Sequence, residues 1–323
     1  MMKNSEMWAV VSRYKLLCGI GEKYLFYHHG KLYISDSLCE KARKFVVLPG
    51  NIMRRTMMRI RILERLARLE PRIAIQLNDT ECLLSYQGQI IRIDLTGKMQ
   101  VEHHYRSTMN NPLSFCASNG RILYGEYYGN LNHEAVSIYE RCDNGNWKAV
   151  YTFSAGVVQH IHQISYDEYR DCYWILTGDQ DRECAIWQAS IDFSTVTPVF
   201  SGQQKYRSCY IMPSRKGIAY ATDTPIEKNW IYYSEQATDG TWAEPKRIFE
   251  MPGPCIYGKK LNDGRYIMAT SVEPDAILTN FRYYLSSKLG GGVRERSTSL
   301  ICGSPDGQFD ELRKFEKDFL KMW

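Results

Sequence analysis

The sequence has no run of about 18 apolar residues, so nothing in it reads as a membrane-spanning helix. Its N-terminus shows no cationic segment followed by an apolar stretch of about 7–15 residues, so no secretory leader is expected. No Gly-x-x-x-x-Gly-Lys-Ser/Thr, Gly-x-Gly-x-x-Gly or Gly-x-Ser-x-Gly occurs. P-loop nucleotide binding, Rossmann cofactors and α/β-hydrolase chemistry therefore have no support. The ten cysteines include no Cys-x-x-Cys pair, which removes zinc ribbons and dithiol redox motifs. Most lie in apolar strand-like runs, as buried free thiols do, and the expected location is a reducing cytoplasm. Charge of one sign is also scarce: 41 Lys+Arg against 36 Asp+Glu leaves +5. That is too little to steer nucleic acid, so no nucleic-acid partner is expected.

Aromatic residues are plentiful: 23 Tyr, 11 Phe and 7 Trp. Such rings suit half-buried pleated surfaces, and they also stack on sugar faces. Short β segments punctuated by turn signals fill the chain. Pairs are expected at Lys23–His28 and Lys31–Ser35, Cys82–Tyr86 and Gln89–Asp94, and Tyr173–Gly178 and Cys184–Ser190. Gly217–Thr222 with Asn229–Ser234, and Gly264–Val272 with Asn280–Ser286, continue the series. Hairpins this dense point to a sandwich, barrel or propeller.

A loose repeat decides among them. Gly120–Gly125, Val136–Tyr139 and Asp143-Asn-Gly-Asn-Trp147 match Gly217–Thr222, Trp230–Ser234 and Asp239-Gly-Thr-Trp242 in order; Tyr173–Gly178, Ala185–Ser190 and Asp192 make a third copy. A spacing of about 45–50 residues is that of a four-stranded blade. The expected fold is one all-β propeller over residues 1–323. Six blades are expected, with seven as the alternative, and blade cores near residues 20, 75, 115, 165, 210 and 260. One insertion breaks the pattern. Ile52, Met53, Thr56, Met57, Ile60, Leu63, Leu66 and Ala67 recur at three- and four-residue steps between arginines. That predicts an amphipathic helix over 52–70, ended by Pro71 and suited to packing on the propeller or on a second copy of the chain. Phe309–Trp323 is also helix-compatible.

The segments Tyr139-Glu-Arg-Cys-Asp143-Asn-Gly-Asn-Trp147 and Ser234-Glu-Gln-Ala-Thr-Asp239-Gly-Thr-Trp242, with the stub Ser190-Ile-Asp192, resemble the Ser-x-Asp-x-Gly-x-x-Trp repeat of sialidase-like propellers. Residues 120–275 are similar to bacterial members linked to polysaccharides, propeller polysaccharide lyases among them. The matching segments are Gly125-Glu126-Tyr127, His160-Ile-His162, Thr177-Gly178-Asp179, Gln204-Lys-Tyr206-Arg207, Thr222-Asp223 and Thr270-Ser-Val-Glu273. The arginine triad of true sialidases is not matched. The resemblance therefore implies the fold and a polysaccharide-linked site rather than sialidase activity.

The residues themselves suggest a chemistry. On a strand, His160 and His162 project to one side, as an acid/base pair or half of a metal site. Arg207 suits bidentate capture of a carboxylate. Elimination from a uronate needs carboxylate neutralisation, a base and an acid; His160 or His162, Tyr206 and Arg207 are of those types. Glu126, Asp223 and Glu273 follow strands at matching places in successive blades, and paired carboxylates also permit glycoside hydrolysis. The expected catalytic residues are His160, His162, Tyr206, Arg207 and Glu126, with Tyr127, Asp179, Lys205, Asp223 and Glu273 binding substrate. No metal or other cofactor is expected, since His-x-His alone is half a site. The expected ligand is a glycan, acidic in the sharpest version of the reading. A non-catalytic glycan-binding or scaffolding propeller, or a cytoplasmic protein of surface-polysaccharide synthesis, is the alternative.

Overall fold

The computed structural model describes residues 14–38, 40–107, 111–274 and 288–317. Six four-stranded antiparallel sheets follow one another along the chain. The first holds β1 (Lys15–Ile20), β2 (Lys23–His28), β3 (Lys31–Ser35) and β4 (Arg43–Val47), and the second β5 (Ile73–Asn78), β6 (Glu81–Tyr86), β7 (Gln89–Asp94) and β8 (Met99–His104). The third holds β9 (Phe115–Ser118), β10 (Arg121–Gly125), β11 (Val136–Arg141) and β12 (Trp147–Phe153), and the fourth β13 (Ile161–Asp167), β14 (Cys172–Thr177), β15 (Ala185–Ala189) and β16 (Val196–Ser201). The fifth holds β17 (Ser208–Pro213), β18 (Gly217–Thr222), β19 (Asn229–Glu235) and β20 (Lys246–Met251). The sixth holds β21 (Cys255–Lys260), β22 (Tyr266–Thr270), β23 (Ser297–Gly303) and β24 (Phe309–Glu316). Each sheet is an up-and-down meander, and the fold is the expected all-β propeller with six blades.

A recurring turn underlies the sequence repeat. Between the third and fourth strands, a backbone N–H bonds the carbonyl four or five residues on. The pairs are Asp94 to Lys98, Cys142 to Asn146, Ser190 to Thr195 and Ser304 to Gln308; just past β19, Ala237 pairs likewise with Thr241. Asp94, Asp192 and Asp239 accept a backbone N–H two residues on, from Thr96, Ser194 and Thr241. That is an Asx turn, which explains the Asp at this place. Gly97, Gly145 and Gly240 adopt positive φ of 89°, 84° and 88°, where a Cβ is strained.

Contacts group the chain into two compact units: Met1–Ala117 with Glu140–Lys148, and Ser118–Tyr139 with Ala149–Trp323. In the first, Leu25, Leu32, Leu84, Ile91 and Ile93 form the centre of a core shared by the first two sheets. This unit contains the helical insertion, which is not the single helix expected over 52–70. It is two six-residue helices, α1 (Ile52–Met57) and α2 (Arg61–Leu66). Ile60 between them is extended, with φ −108° and ψ 105°. Of the expected stripe, Ile52 and Met53 are 85% and 69% exposed, and Ile60 and Leu66 are also exposed. The insertion anchors instead through Met58 and Leu69, and through the buried Glu64, whose carboxylate accepts from Tyr27 Oη. Periodicity misled here because residues on either side of a backbone break cannot share one helical face.

In the second unit, Trp174, Leu176, Ile186, Ile211 and Tyr220 pack between the fourth and fifth sheets. Tyr210, Met212, Ile231, Met268 and Ile301 pack between the fifth and sixth. Phe309–Glu316 is the strand β24, not a helix start; it pairs with β23 from Ser297↔Glu316 to Gly303↔Phe309. Only Phe309 of it is buried, as suits a sheet edge, and this solvated strand carries too little apolar signal to betray its period. The expected strand Asn280–Ser286 and the tail from residue 318 lie outside the described residues.

Candidate active site

The site is built in the second unit by one backbone device used three times. The first residue of the inner strand pairs with a threonine that ends the next strand: Ile161↔Thr177, Ser208↔Thr222 and Cys255↔Thr270. One residue further on, each inner strand bulges, between Ile161 and Gln163, Ser208 and Tyr210, and Cys255 and Tyr257. A bulge re-aims the extra side chain. In the first two cases that residue is His162 and Cys209. The residue before each inner strand, His160 or Arg207, and those after each threonine, Asp179, Asp223 and Glu273, sit at the same end of their sheets. With β13 against β17 and β17 against β21, these side chains come together.

Two imidazoles form the centre. His160 Nε2 lies 3.1 Å from His162 Nε2. Both reach Asp179: His160 Nε2 is 3.3 Å from Oδ2 and His162 Nε2 is 3.5 Å from Oδ1. His162 Nδ1 donates to the Ser208 carbonyl at 3.0 Å, so in the neutral ring the Nε2 lone pair faces His160 and Asp179. Both histidines are buried, while the Asp179 side chain is 33% exposed. The Tyr127 ring lies 4.3 Å from the His160 ring and 6.0 Å from the His162 ring, centroid to centroid.

Arg207 closes the arrangement. Its Nη2 meets Asp179 Oδ1 at 2.9 Å, its Nη1 donates to the Asp179 carbonyl at 3.1 Å, and its Nε lies 3.9 Å from Asp223 Oδ2. Burial opposes its charge, but Asp179 and Asp223 outweigh that and hold the guanidinium more firmly protonated than usual. Burial likewise pulls Asp179 upward, yet the contact with His160 and the Arg207 charge keep it well below the usual carboxylate range. Burial lowers His162. Asp223 goes the other way: burial and the Glu273 charge push it up to about 8, against Arg207 and the Cys209 thiol, which donates to Oδ2 at 3.1 Å. Cys209 itself is raised by burial and by Asp223. Neighbouring carboxylates with opposite shifts are the arrangement that separates acid from base.

Of the expected residues, the structure therefore brings together His160, His162, Tyr127, Asp179, Arg207 and Asp223, with Glu273 near enough to act on Asp223 electrostatically. Three others have different tasks. Tyr206 lies away from the imidazoles: a 3-10 turn over Gln204–Tyr206 sends its ring into the core, stacked on Phe200 at 5.5 Å, while Arg207 faces the site. Lys205 pairs with Glu244 and lines a groove of Thr224, Lys228, Trp230 and Arg247 that includes neither histidine. Glu126 is buried; its carboxylate accepts from the Ser137 N–H at 2.8 Å, and its carbonyl accepts from the Ile161 N–H at 2.9 Å. It holds the start of β13, and so the histidines, in place. Arg207 is likewise committed to Asp179 and Asp223 rather than open to a substrate carboxylate.

Sequence reasoning assigned no site role to Gln204, Cys209 or Gly178. Buried Gln204 donates to the Asp179 carbonyl and to Asp181 Oδ1, and accepts from Thr224 Oγ1. Gly178 has φ +144°, and a Cβ there would lie 2.9 Å from Cys184 Cα. The Gly-Asp pair after a strand was the available signal; nothing local marked Gln204. Chemically, the cluster can move a proton through its imidazoles, or present two nitrogens and a carboxylate oxygen to a cation; both {His160, His162, Asp179} and {His162, Cys209, Asp223} group ligand-type atoms.

No family model and no curated protein matches the chain. Solved structures do. Virginiamycin B lyase from Staphylococcus aureus is 11% identical with a TM-score of 0.54, over 95% of this chain and 84% of that one. A protein from Lactobacillus plantarum is 10% identical with a TM-score of 0.53, over 95% and 85%. A chain of a mitotic checkpoint complex is 8% identical with a TM-score of 0.54, over 95% and 78%. At such identities the likeness is one of fold. It carries the propeller part of the expected resemblance and leaves its sialidase-type part without support.

Proposed function

We propose that the chain is a carbohydrate-active propeller enzyme that transfers protons on an acidic glycan, in the manner of a lyase or glycosidase, at the His160–His162–Asp179 cluster. One observation carries this reading: two buried imidazole nitrogens 3.1 Å apart that share one ionised carboxylate. Burying such groups costs stability that an apolar core would not, and opposed shifts in one cluster are typical of reaction centres. The cluster supplies the acceptor for the substrate proton. Asp223 retains its own proton near neutral pH and is the donor to the leaving oxygen. Arg207 positions Asp179, and Tyr127 offers a ring beside the histidines. Aromatic rings stack on sugar faces, and Tyr127 places one beside the cluster.

The test is turnover of a panel of uronate-containing polysaccharides, followed by new reducing ends and by absorbance of the unsaturated product. Virginiamycin B, on which a fold neighbour acts, belongs in the panel. Wild type should turn over at least one uronate glycan, and His160→Gln or His162→Gln should reduce kcat about 10²–10⁴-fold, the usual worth of general acid–base catalysis. Glycan binding with no turnover, unchanged in both variants, would identify a binding module instead.

A further inference from the structure

We infer that His160, His162 and Asp179 hold a divalent cation of the zinc class. The inference rests on the reading of this cluster as a reaction centre and adds its cofactor. Zinc–nitrogen and zinc–oxygen bonds of about 2.0–2.2 Å set the ligands of a tetrahedron about 3.3–3.6 Å apart. Here His160 Nε2 lies 3.1 Å from His162 Nε2 and 3.3 Å from Asp179 Oδ2, and the ligand atoms of the three residues all lie within 4.8 Å of one another. The imidazoles point the same nitrogen at one place. His162 is oriented by its Nδ1–H bond to the Ser208 carbonyl, the outer bond that metal-binding histidines make. No single proton satisfies the pair. Placed on His160 Nε2, it leaves the Nδ1 lone pair buried; placed on Nδ1, it leaves two Nε2 lone pairs facing one another. His160 Nδ1 has no hydrogen-bond partner among the described residues. A cation between the Nε2 atoms removes the second conflict.

Asp179 divides its oxygens accordingly: Oδ1 takes Arg207 and Oδ2 faces His160. At 33% side-chain exposure, Asp179 is the member of the set that meets solvent. The alternative set through Cys209 is less suited, because that thiol is already engaged with Asp223 Oδ2 at 3.1 Å. A cation also supplies what Arg207, bound by two aspartates, does not: positive charge for the carboxylate of an acidic glycan. A water on such a cation would be the proton acceptor of the cluster.

The experiment strips the purified full chain with a chelator, then titrates zinc by calorimetry and cobalt(II) by visible absorption. One equivalent should bind. His160→Gln and His162→Gln should each weaken binding about 100-fold or more, beyond the loss of an outer partner, with cooperative melts showing that each variant is folded. Absence of zinc binding, or affinity unchanged in both variants, overturns the site. Equal weakening by Cys209→Ser and Asp223→Asn moves the cation to the other set and also overturns it. Full turnover by stripped protein, unaffected by zinc, removes the cation from the reaction and leaves the proposed function standing. One bound equivalent with no turnover on any glycan does the reverse.

Discussion

His162 donates its Nδ1–H to the carbonyl oxygen of Ser208, 3.0 Å away on the neighbouring inner strand, and this single bond sets the direction of the imidazole pair. The acceptor is backbone, at the residue where β17 pairs with Thr222. The orientation of a buried imidazole in one blade is thus written into the ladder of the next. Three consequences of buried polar bonding in this fold are open to measurement.

Arg207 and Asp179 form a largely buried pair, at 16% and 33% side-chain exposure. Arg207→Gln leaves Asp179 with only the histidines and should destabilise the protein by about 3 kcal/mol, the low end for breaking a buried pair. Asp179→Asn in the same chain should recover much of that loss, because the uncompensated charge is gone. Urea midpoints of the two single variants and the double variant give the coupling; additive losses would show that the pair contributes nothing.

Asp223 makes stability depend on alkaline pH. Its folded-state value, about 8 against an ordinary 3.8, is raised by burial and Glu273. A raised carboxyl binds its proton more tightly folded than unfolded. Its contribution is therefore complete below pH ~4 and is lost as pH rises through ~8. Wild type should lose denaturant resistance between pH ~7 and ~9, and Asp223→Asn, which cannot ionise, should flatten that decline. Parallel slopes for the two proteins would exclude Asp223 as the source.

The first unit has its own buried polar bond. Glu64 of α2 accepts from Tyr27 Oη on β2 and lies 3.0 Å from His29 Nδ1. Burial raises Glu64 above the usual carboxylate range and raises Tyr27 as well. Tyr27→Phe should cost about 1–2 kcal/mol by leaving a buried acceptor short of one donor. The double variant Tyr27→Phe/Glu64→Leu, which removes both partners, should lie closer to wild type than the sum of the single losses. Thermal melts with far-UV signals decide it.

Much of the architecture was legible because blades are local. Tyr173–Leu176 and Ile218–Ala221 carry near-continuous apolar or β-favouring runs, and Asp239-Gly240 demands its turn, so each hairpin announces itself within a dozen residues. The insertion was not legible in the same way. Ile52 through Ala67 keep a helical period, but the break at Ile60 follows from Met58 and Glu64 docking on the first sheet, contacts that no window of sequence contains. The site divides along the same line. His160-Ile-His162 and Gly178-Asp179 stood out as polar residues at strand ends, whereas Tyr206 and Arg207, adjacent in the chain, went to opposite sides of a 3-10 turn whose direction is set by packing on Phe200.

By itself the sequence determined the fold class, most of the hairpins and the strand ends that carry polar groups, because hydrogen-bonded hairpins and Asx turns depend on neighbours within a few residues. Tertiary structure alone decided which of those groups act together. It made Arg207 the partner of Asp179 and Asp223, turned Glu126 to a backbone N–H, and set two imidazoles 3.1 Å apart. Arg207–Asp179 joins the fourth and fifth sheets, and the charge states of the cluster follow from burial and from opposing charges that meet only when those blades pack.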